Sequence, residues 1–522
     1  MTRRMTRREL LRVGGLGSMV ALLAACQPKV VEKIVEKEVT KIIKEVVKET
    51  IIVEGTPQVV EKEVTRIIEV TRAPELKKWT LVFQAGLGAP TDPEMELAEG
   101  EMRYVGLQPA VDDYKDVKPN VEIEWYDMPP GAETAEWLHA RMAARDCPDI
   151  FWYNANQLWP QIHKGWALDM TEWVNTPNPY MPGKRAWVSY IDKIGRKSQI
   201  GPDGKIYGVN FDGAGVMIVY NKDAFADAGV TEEPVTWGEF MEVWQKLKDK
   251  DYIPFGGDLG AENCCYCEWT ITHIINQTAY DVLPDYDDDK GGLINAKEMV
   301  QHFQKGDWPL WDHLLRIAQL FREQAPFLPM GYQGEVDYRK LFRQGSVAMY
   351  MEGSWQVMQF ETDPVPFDYG WVFYPLITKD IWPTAPEKHV RLQGAWGVMQ
   401  YHVPGYLAET DPERIPVIMD WLMFMTQAKY ISGVCGERGN IPMVEGSTTV
   451  PQLAPFLLPY DRKVTYDGAW LILAQTAYAR QRQLLAEYMP GGMSDDDFLA
   501  KGKEIWADEV RKVLEVNPDW KI

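Results

Sequence analysis

The most informative patterning in the chain lies between Gly204 and Phe225, GKIYGVNFDGAGVMIVYNKDAF. A tight turn at Asp203-Gly204 precedes an extended stretch, Ile206–Phe211. Asp212-Gly213-Ala214-Gly215 then interrupts it with residues too small and flexible to form a strand core. Val216–Tyr220 is an unbroken apolar run, the pattern of a strand buried on both faces. Asn221-Lys222-Asp223 can cap a helix continuing through Ala224-Phe225-Ala226. Two strands, a small-residue crossing between them and a helix start behind them predict a hinge from one lobe to another.

Elsewhere strand and helix patterns alternate. Trp79–Gln84 and Val121–Tyr126 read as strands, Asp112–Lys118 and Trp137–Ala144 as helices, and Ile150 opens a further strand. Thr236-Trp237-Gly238-Glu239-Phe240 is a cap and helix start running through Lys248. Ile418–Met425 reads as a buried helix, Trp470–Tyr488 and Asp496–Leu514 as C-terminal helices.

The first residues follow different rules. Thr6-Arg7-Arg8-Glu9-Leu10-Leu11-Arg12 looks like a twin-arginine export signal, with the general secretory route as the alternative, and Val13–Ala25 is too short and glycine-interrupted to span a membrane stably. Leu23-Ala24-Ala25-Cys26 resembles a bacterial lipobox, which implies a signal peptide over 1–25 and a lipid on Cys26. Residues 26–78 form a charged, repetitive tether. The octets Glu36–Ile43 and Glu61–Ile68 differ only by Lys41 against Arg66. Apolar residues at three-to-four spacing among Glu and Lys predict an amphipathic helix or short coiled coil, although the β-branched content also permits extended structure. The tether is read as a spacer lifting the globular part off the membrane; self-association through it is the alternative.

At 522 residues the chain is too long for one simple core, so two lobes plus extensions are expected. A net charge of −21 argues against a nucleic-acid partner, because phosphate binding needs a basic surface.

These landmarks together resemble the family 1 extracellular solute-binding proteins of ABC importers, the maltose-binding-protein-like sugar binders. The match is carried by Gly204-Lys205 and Tyr220-Asn221-Lys222-Asp223 at the hinge, by Pro148-Asp149-Ile150, by Thr236-Trp237-Gly238-Glu239-Phe240, and by Phe342 to Met349 followed by Gly353-Ser354-Trp355. The resemblance implies an α/β, two-lobed periplasmic-binding-protein-like fold (type II), each lobe a mixed sheet flanked by helices. Lobe 1 is expected from 79–213 and 371–427, lobe 2 from 214–370 and 428–522. Gly433–Pro442 resembles the family's loop that closes over ligand.

Sugars present apolar C–H faces beside hydroxyls, so rings and polar groups should share the cleft. Trp152, Tyr153, Trp269, Trp355 and Trp396 stand at positions resembling the family's cleft; Asn154, Asp212, Glu268, Glu352 and Arg438 are candidate hydrogen-bond partners. Ala214 stands where the maltose binder has a cleft carboxylate, so a maltose-like contact set is not expected. The implied role is capture of a carbohydrate and its delivery to the importer's membrane subunits, on the extracytoplasmic face of the bacterial membrane. A polyol phosphate, a polyamine or a peptide is the alternative solute. A glycoside hydrolase would pair Asp212 with Glu268 or Glu352. Phosphate-loop, zinc-helix and nucleophile-elbow patterns are absent, so no catalytic residue is assigned and the chain is read as a binding protein.

No cofactor or metal is assigned. Asp285–Asp289 suggests calcium, yet Lys290 and Ala296 stand where a calcium loop needs its glycine and glutamate, so a solvated acidic loop is expected. With Cys26 lipidated, Cys147, Cys264, Cys265, Cys267 and Cys435 remain. One disulfide within or onto the 264–267 cluster is expected in this oxidising setting, with Cys147 and Cys435 as buried thiols.

Overall fold

The computed structural model describes residues 38–53, 56–71, 76–97, 101–129, 134–201, 203–260, 265–279, 282–288, 294, 296–308, 311–394, 397–457, 462–465 and 475–522. The signal segment, Cys26, Cys264 and Trp396 lie outside them. Strands run in chain order as β1 (Glu38–Val53), β2 (Thr56–Thr71), β3 (Trp79–Gln84), β4 (Val121–Trp125), β5 (Ile150–Trp152), β6 (Val209–Asn210) and β7 (Asp212–Asn221). They continue as β8 (Met349–Gly353), β9 (Tyr369–Val372), β10 (Val390–Gly394), β11 (Gln400–His402), β12 (Ile441–Pro442) and β13 (Arg462–Thr465).

The tether corrects the expectation of helix. β1 and β2 form an antiparallel hairpin, paired from Glu38↔Thr71 to Val53↔Thr56. Ten of the sixteen residues of β1 are Val, Ile or Thr, which lose χ1 freedom in a helix and suit a pleated strand. The register sets Ile42 against Ile67, equivalent positions of the two octets, and Lys48 against Glu61.

Residues Lys78–Ile522 form a separate compact unit built on two sheets. The first has the order β4-β3-β5-β11-β6, parallel among β3, β4 and β5 and antiparallel through β11. Its core gathers Leu81, Phe83, Tyr401 and Trp421 with the helices Arg414–Met425 and Ala428–Arg438. The second is organised around β7, which pairs antiparallel with β8, β9, β10 and β12, while β13 adds parallel to β10. All ten residues of β7 are buried. The second core joins β7 to the helices Trp237–Lys248, Trp311–Gln324 and Asp495–Val516. These are two lobes of mixed sheet flanked by helices.

Chain segments pass between the sheets three times: at Phe211, between β10 and β11, and between Arg438 and β12. The second and third crossings fall later than the expected 370/371 and 427/428 boundaries. β9 and β10 pair with β7, and the helix Ala428–Arg438 packs in the first core, so lobe 1 takes back the chain only from about residue 397 and, beyond β12, still holds Val444 and Glu445. Gly213-Ala214-Gly215 is also not a flexible gap. It is strand, because β12 and β10 lie against it and a Cβ on Gly215 would come within 2.8 Å of Phe456. Glycine is required there by close approach.

The local helix signals act as the sequence indicates. Asn221 Oδ1 accepts from the Ala224 amide at 3.0 Å. Thr236 and Glu239 form a reciprocal capping box. Among the described residues no helix is long and apolar enough to cross a membrane.

Candidate functional site

β7 starts where the crossings converge, and its first side chain is the centre of the arrangement. Asp212 is fully buried and accepts from the amides of Val398 at 3.0 Å and Met399 at 2.9 Å, and from Asn440 Nδ2 at 2.6 Å. Those donors belong to the second and third crossings, so one carboxylate of the first crossing touches all three. Burial pushes its pKa up to about 6, against the three hydrogen bonds that lower it. Asp212 is therefore a hinge group with no free oxygen facing a ligand, which corrects its assignment as a cleft contact.

The lobe 2 landmark sits beside it. Ser354 donates its amide to Gly215 O at 2.8 Å, which fixes the turn Gly353-Ser354-Trp355 to β7 three residues from Asp212. Trp355 opens the helix Trp355–Thr362, and its ring lies over Gly353, where any Cβ would meet it at 2.2 Å. The ring is half-buried and packs on Trp269 at 5.7 Å between centroids. From lobe 1, half-buried Trp152 donates its indole N–H to Gly397 O at 3.1 Å, tying a second ring to the second crossing. The backbone at Gly86 lies flat against that indole.

The candidate residues divide by exposure. Trp152, Asn154, Glu268, Trp355 and Arg438 are half-buried, while Tyr153, Asp212, Trp269 and Glu352 are buried. Tyr153 belongs to a core cluster with Phe151 and Tyr207, and Trp269 to the lobe 2 core; both were expected in the cleft. A strand-end position does not decide exposure, since Tyr153 shares its cluster with Leu138 and Met142 of the preceding helix Thr134–Ala144. Glu352 is likewise withdrawn: Arg339 Nε donates to it at 2.5 Å and the Gly353 amide at 3.0 Å. Asn154 Oδ1 accepts from Gln400 Nε2 at 3.2 Å.

Arg438 ends the helix Ala428–Arg438, which replaces most of the expected closing loop. Its guanidinium stacks 3.4 Å from the Tyr104 ring centroid, and burial lowers its pKa. Tyr104 belongs to a loop whose base is closed by Thr91 and Tyr104, each bonded to the other's backbone, and by Glu437, which accepts from the amides of Val105 and Gly106. Residues of this loop and of lobe 2 line an open cleft of about 440 Å³, with Met95, Met102 and Tyr104 on one wall and Arg343, Gln359 and Thr362 on the other. Gln400, Asn440 and Tyr104 were not singled out from sequence; the Asn that follows a helix-ending glycine was the one available signal.

Two subsidiary expectations resolve differently. Asp288 of the acidic loop pairs with His302 Nε2 at 3.2 Å and with Lys305 at 3.7 Å, and no cluster of metal ligands occurs among the described residues. Cys147 and Cys435 are buried thiols whose pKa values burial raises.

Two lobes joined by three crossings, with rings from both lobes at the hinge, define a two-lobed solute-binding protein. A family model described as bacterial extracellular solute-binding protein matches residues 100–401, and the chain belongs to that family, in its family 1 branch. The sn-glycerol-3-phosphate-binding periplasmic protein UgpB of Rhizobium meliloti is 29% identical over 186 residues, 34% of this chain and 35% of that protein. The Multiple sugar-binding protein of Streptococcus mutans is 24% identical over 149 residues, 28% of this chain and 32% of its own. The chain thus spans about a third of the length of the curated relatives it matches. The solved cyclic alpha-maltosyl-1,6-maltose binding protein from Arthrobacter globiformis superposes with a TM-score of 0.56 at 18% identity, covering 84% of this chain and 99% of that one. At such identity the superposition establishes the fold.

Proposed function

We propose that the protein captures a carbohydrate between its lobes and delivers it to an ABC importer, tethered to the extracytoplasmic face of the membrane by a lipid on Cys26. The observation that carries this reading is the pair of half-buried indoles, Trp152 from lobe 1 and Trp355 from lobe 2, both fixed to the hinge. Aromatic rings cover the C–H faces of a sugar, and Asn154, Glu268, Arg438 and Gln359 supply donors and acceptors for its hydroxyls. A ligand touching both lobes favours the closed arrangement by its differential affinity, which is the signal an importer reads. The hairpin of β1 and β2, about 50 Å long at 3.4 Å per residue, suits a spacer. The role is binding without turnover.

A polyol phosphate is the second reading, favoured by the match to the glycerol-3-phosphate binder and by Arg343 and Arg438 near the open cleft. A thermal-shift screen against mono- and oligosaccharides, glycerol 3-phosphate and polyamines separates the two. A ligand at a hundred times its Kd adds about 2.7 kcal/mol to stability. A saccharide shift lost in Trp355→Ala supports the first reading. A shift with glycerol 3-phosphate alone selects the second, and release of free sugar would transfer the case to a hydrolase.

A further inference from the structure

We propose that Asp212 is the positioning residue of the hinge, a single carboxylate that clasps the three interlobe crossings and thereby sets where Trp152 and Trp355 stand. The clasp on the crossings holds whatever solute is bound; its effect on the two rings rests on the binding reading above.

The carboxylate stands on the first crossing, and its three donors come from elsewhere: Val398 and Met399 from the second, Asn440 from the third. Two of the three donors are backbone amides, so what is held is the path of the chain and not a side-chain rotamer. The second crossing is held against Asp212 without slack. A Cβ on Gly397 would sit 2.2 Å from Asp212 Oδ1 and 2.6 Å from Asn210 Oδ1. That same Gly397 accepts the Trp152 indole through its carbonyl, so moving the second crossing moves the lobe 1 ring. On the other side, Gly215, three residues along β7, is bonded to Ser354, directly before Trp355.

Among the described residues no cation pairs with Asp212. Its donors are neutral, and its charge helps raise the pKa values of the buried Tyr401 hydroxyl and Cys435 thiol. Neither neutralises a carboxylate. A fully buried carboxylate held by neutral groups from separate segments costs desolvation energy and yields a fixed relation between those segments. Released from one another, the crossings would let water reach the carboxylate, so clasped and released hinges are distinct states and not a continuum.

The test is backbone hydrogen exchange, read by mass spectrometry on the ligand-free protein and its Asp212→Asn variant. Asparagine keeps the shape but presents an amide that cannot accept from all three donors. Loss of one such hydrogen bond is expected to speed exchange about tenfold in peptides covering 397–402 and 440–443. Peptides covering β3 and β8 serve as internal reference and should keep wild-type rates. Unchanged exchange at the hinge overturns the proposal, and so does equal acceleration everywhere, which would mark Asp212 as an ordinary core residue. If Asp212→Asn loses its near-ultraviolet circular dichroism, Asn440→Ala decides instead, since it removes one donor and leaves the carboxylate. It should give about threefold faster exchange confined to the same peptides, and the same two contrary results overturn the proposal. None of these readings needs a solute, so failure of the sugar assignment and failure of the clasp are separable.

Discussion

Two fully buried carboxylates stand on neighbouring strands of lobe 2, Asp212 at the start of β7 and Glu352 near the end of β8, and they are held in opposite ways. Glu352 is met by the Arg339 guanidinium of its own lobe. Asp212 is met by neutral donors from the other crossings. The first arrangement keeps one lobe intact. The second relates one lobe to the other. Burial alone therefore does not say whether an acidic residue is core, ligand contact or mechanism; the origin of its donors does.

The largest expected effect comes from breaking the charged pair. Arg339→Met leaves Glu352 buried without a cation, a class of change that costs about 3–5 kcal/mol. Arg339 is 44% exposed, so water enters readily and the loss should fall at the lower end, measured by urea denaturation. It should leave exchange at 397–402 unchanged.

Asp212 is distinguished next by its pH dependence. Its pKa in the fold, about 6, stands above the ordinary 3.8, so its stabilising contribution is fully present below 3.8 and is lost as pH rises through about 6. Between pH 4 and 7.5 the wild type should lose on the order of 3 kcal/mol relative to Asp212→Asn. A parallel pH profile for the two proteins would contradict the buried, ionisable clasp. Gly397→Ala should cost about 1–3 kcal/mol by overpacking against Asp212, with the loss accompanied by faster exchange at the hinge. Thr236→Ala, remote from both carboxylates, removes the capping box and should cost about 1 kcal/mol with hinge exchange untouched.

What the sequence made legible follows the same division between local and distant causes. The capping signals at Asn221 and Thr236 depend on residues three positions away, and both act as read. The buried run Val216–Tyr220 and the turn at Gly353-Ser354-Trp355 carry their own patterns too. The lobe assignment of Trp371–Gly394 was not legible, because it depends on β9 and β10 pairing with a strand some 150 residues earlier, about which local periodicity is silent. Asp212 was misread for the same reason: its acidity is visible in the chain, its donors at 398, 399 and 440 are not. Tyr153 at a strand end and Trp269 at a helix start show that an aromatic at such a position reads alike whether it faces core or ligand. In the tether, two periodicities competed, and β-branched content outweighed the helical spacing.

Whether a solute bridges the two lobes about this hinge is decided by small-angle X-ray scattering with and without the saccharide that scores in the thermal screen. Closure on the sugar should give a smaller radius of gyration, lost in Trp355→Ala, with the sugar recovered intact. A saccharide that binds and leaves the scattering of the wild type unchanged would contradict it.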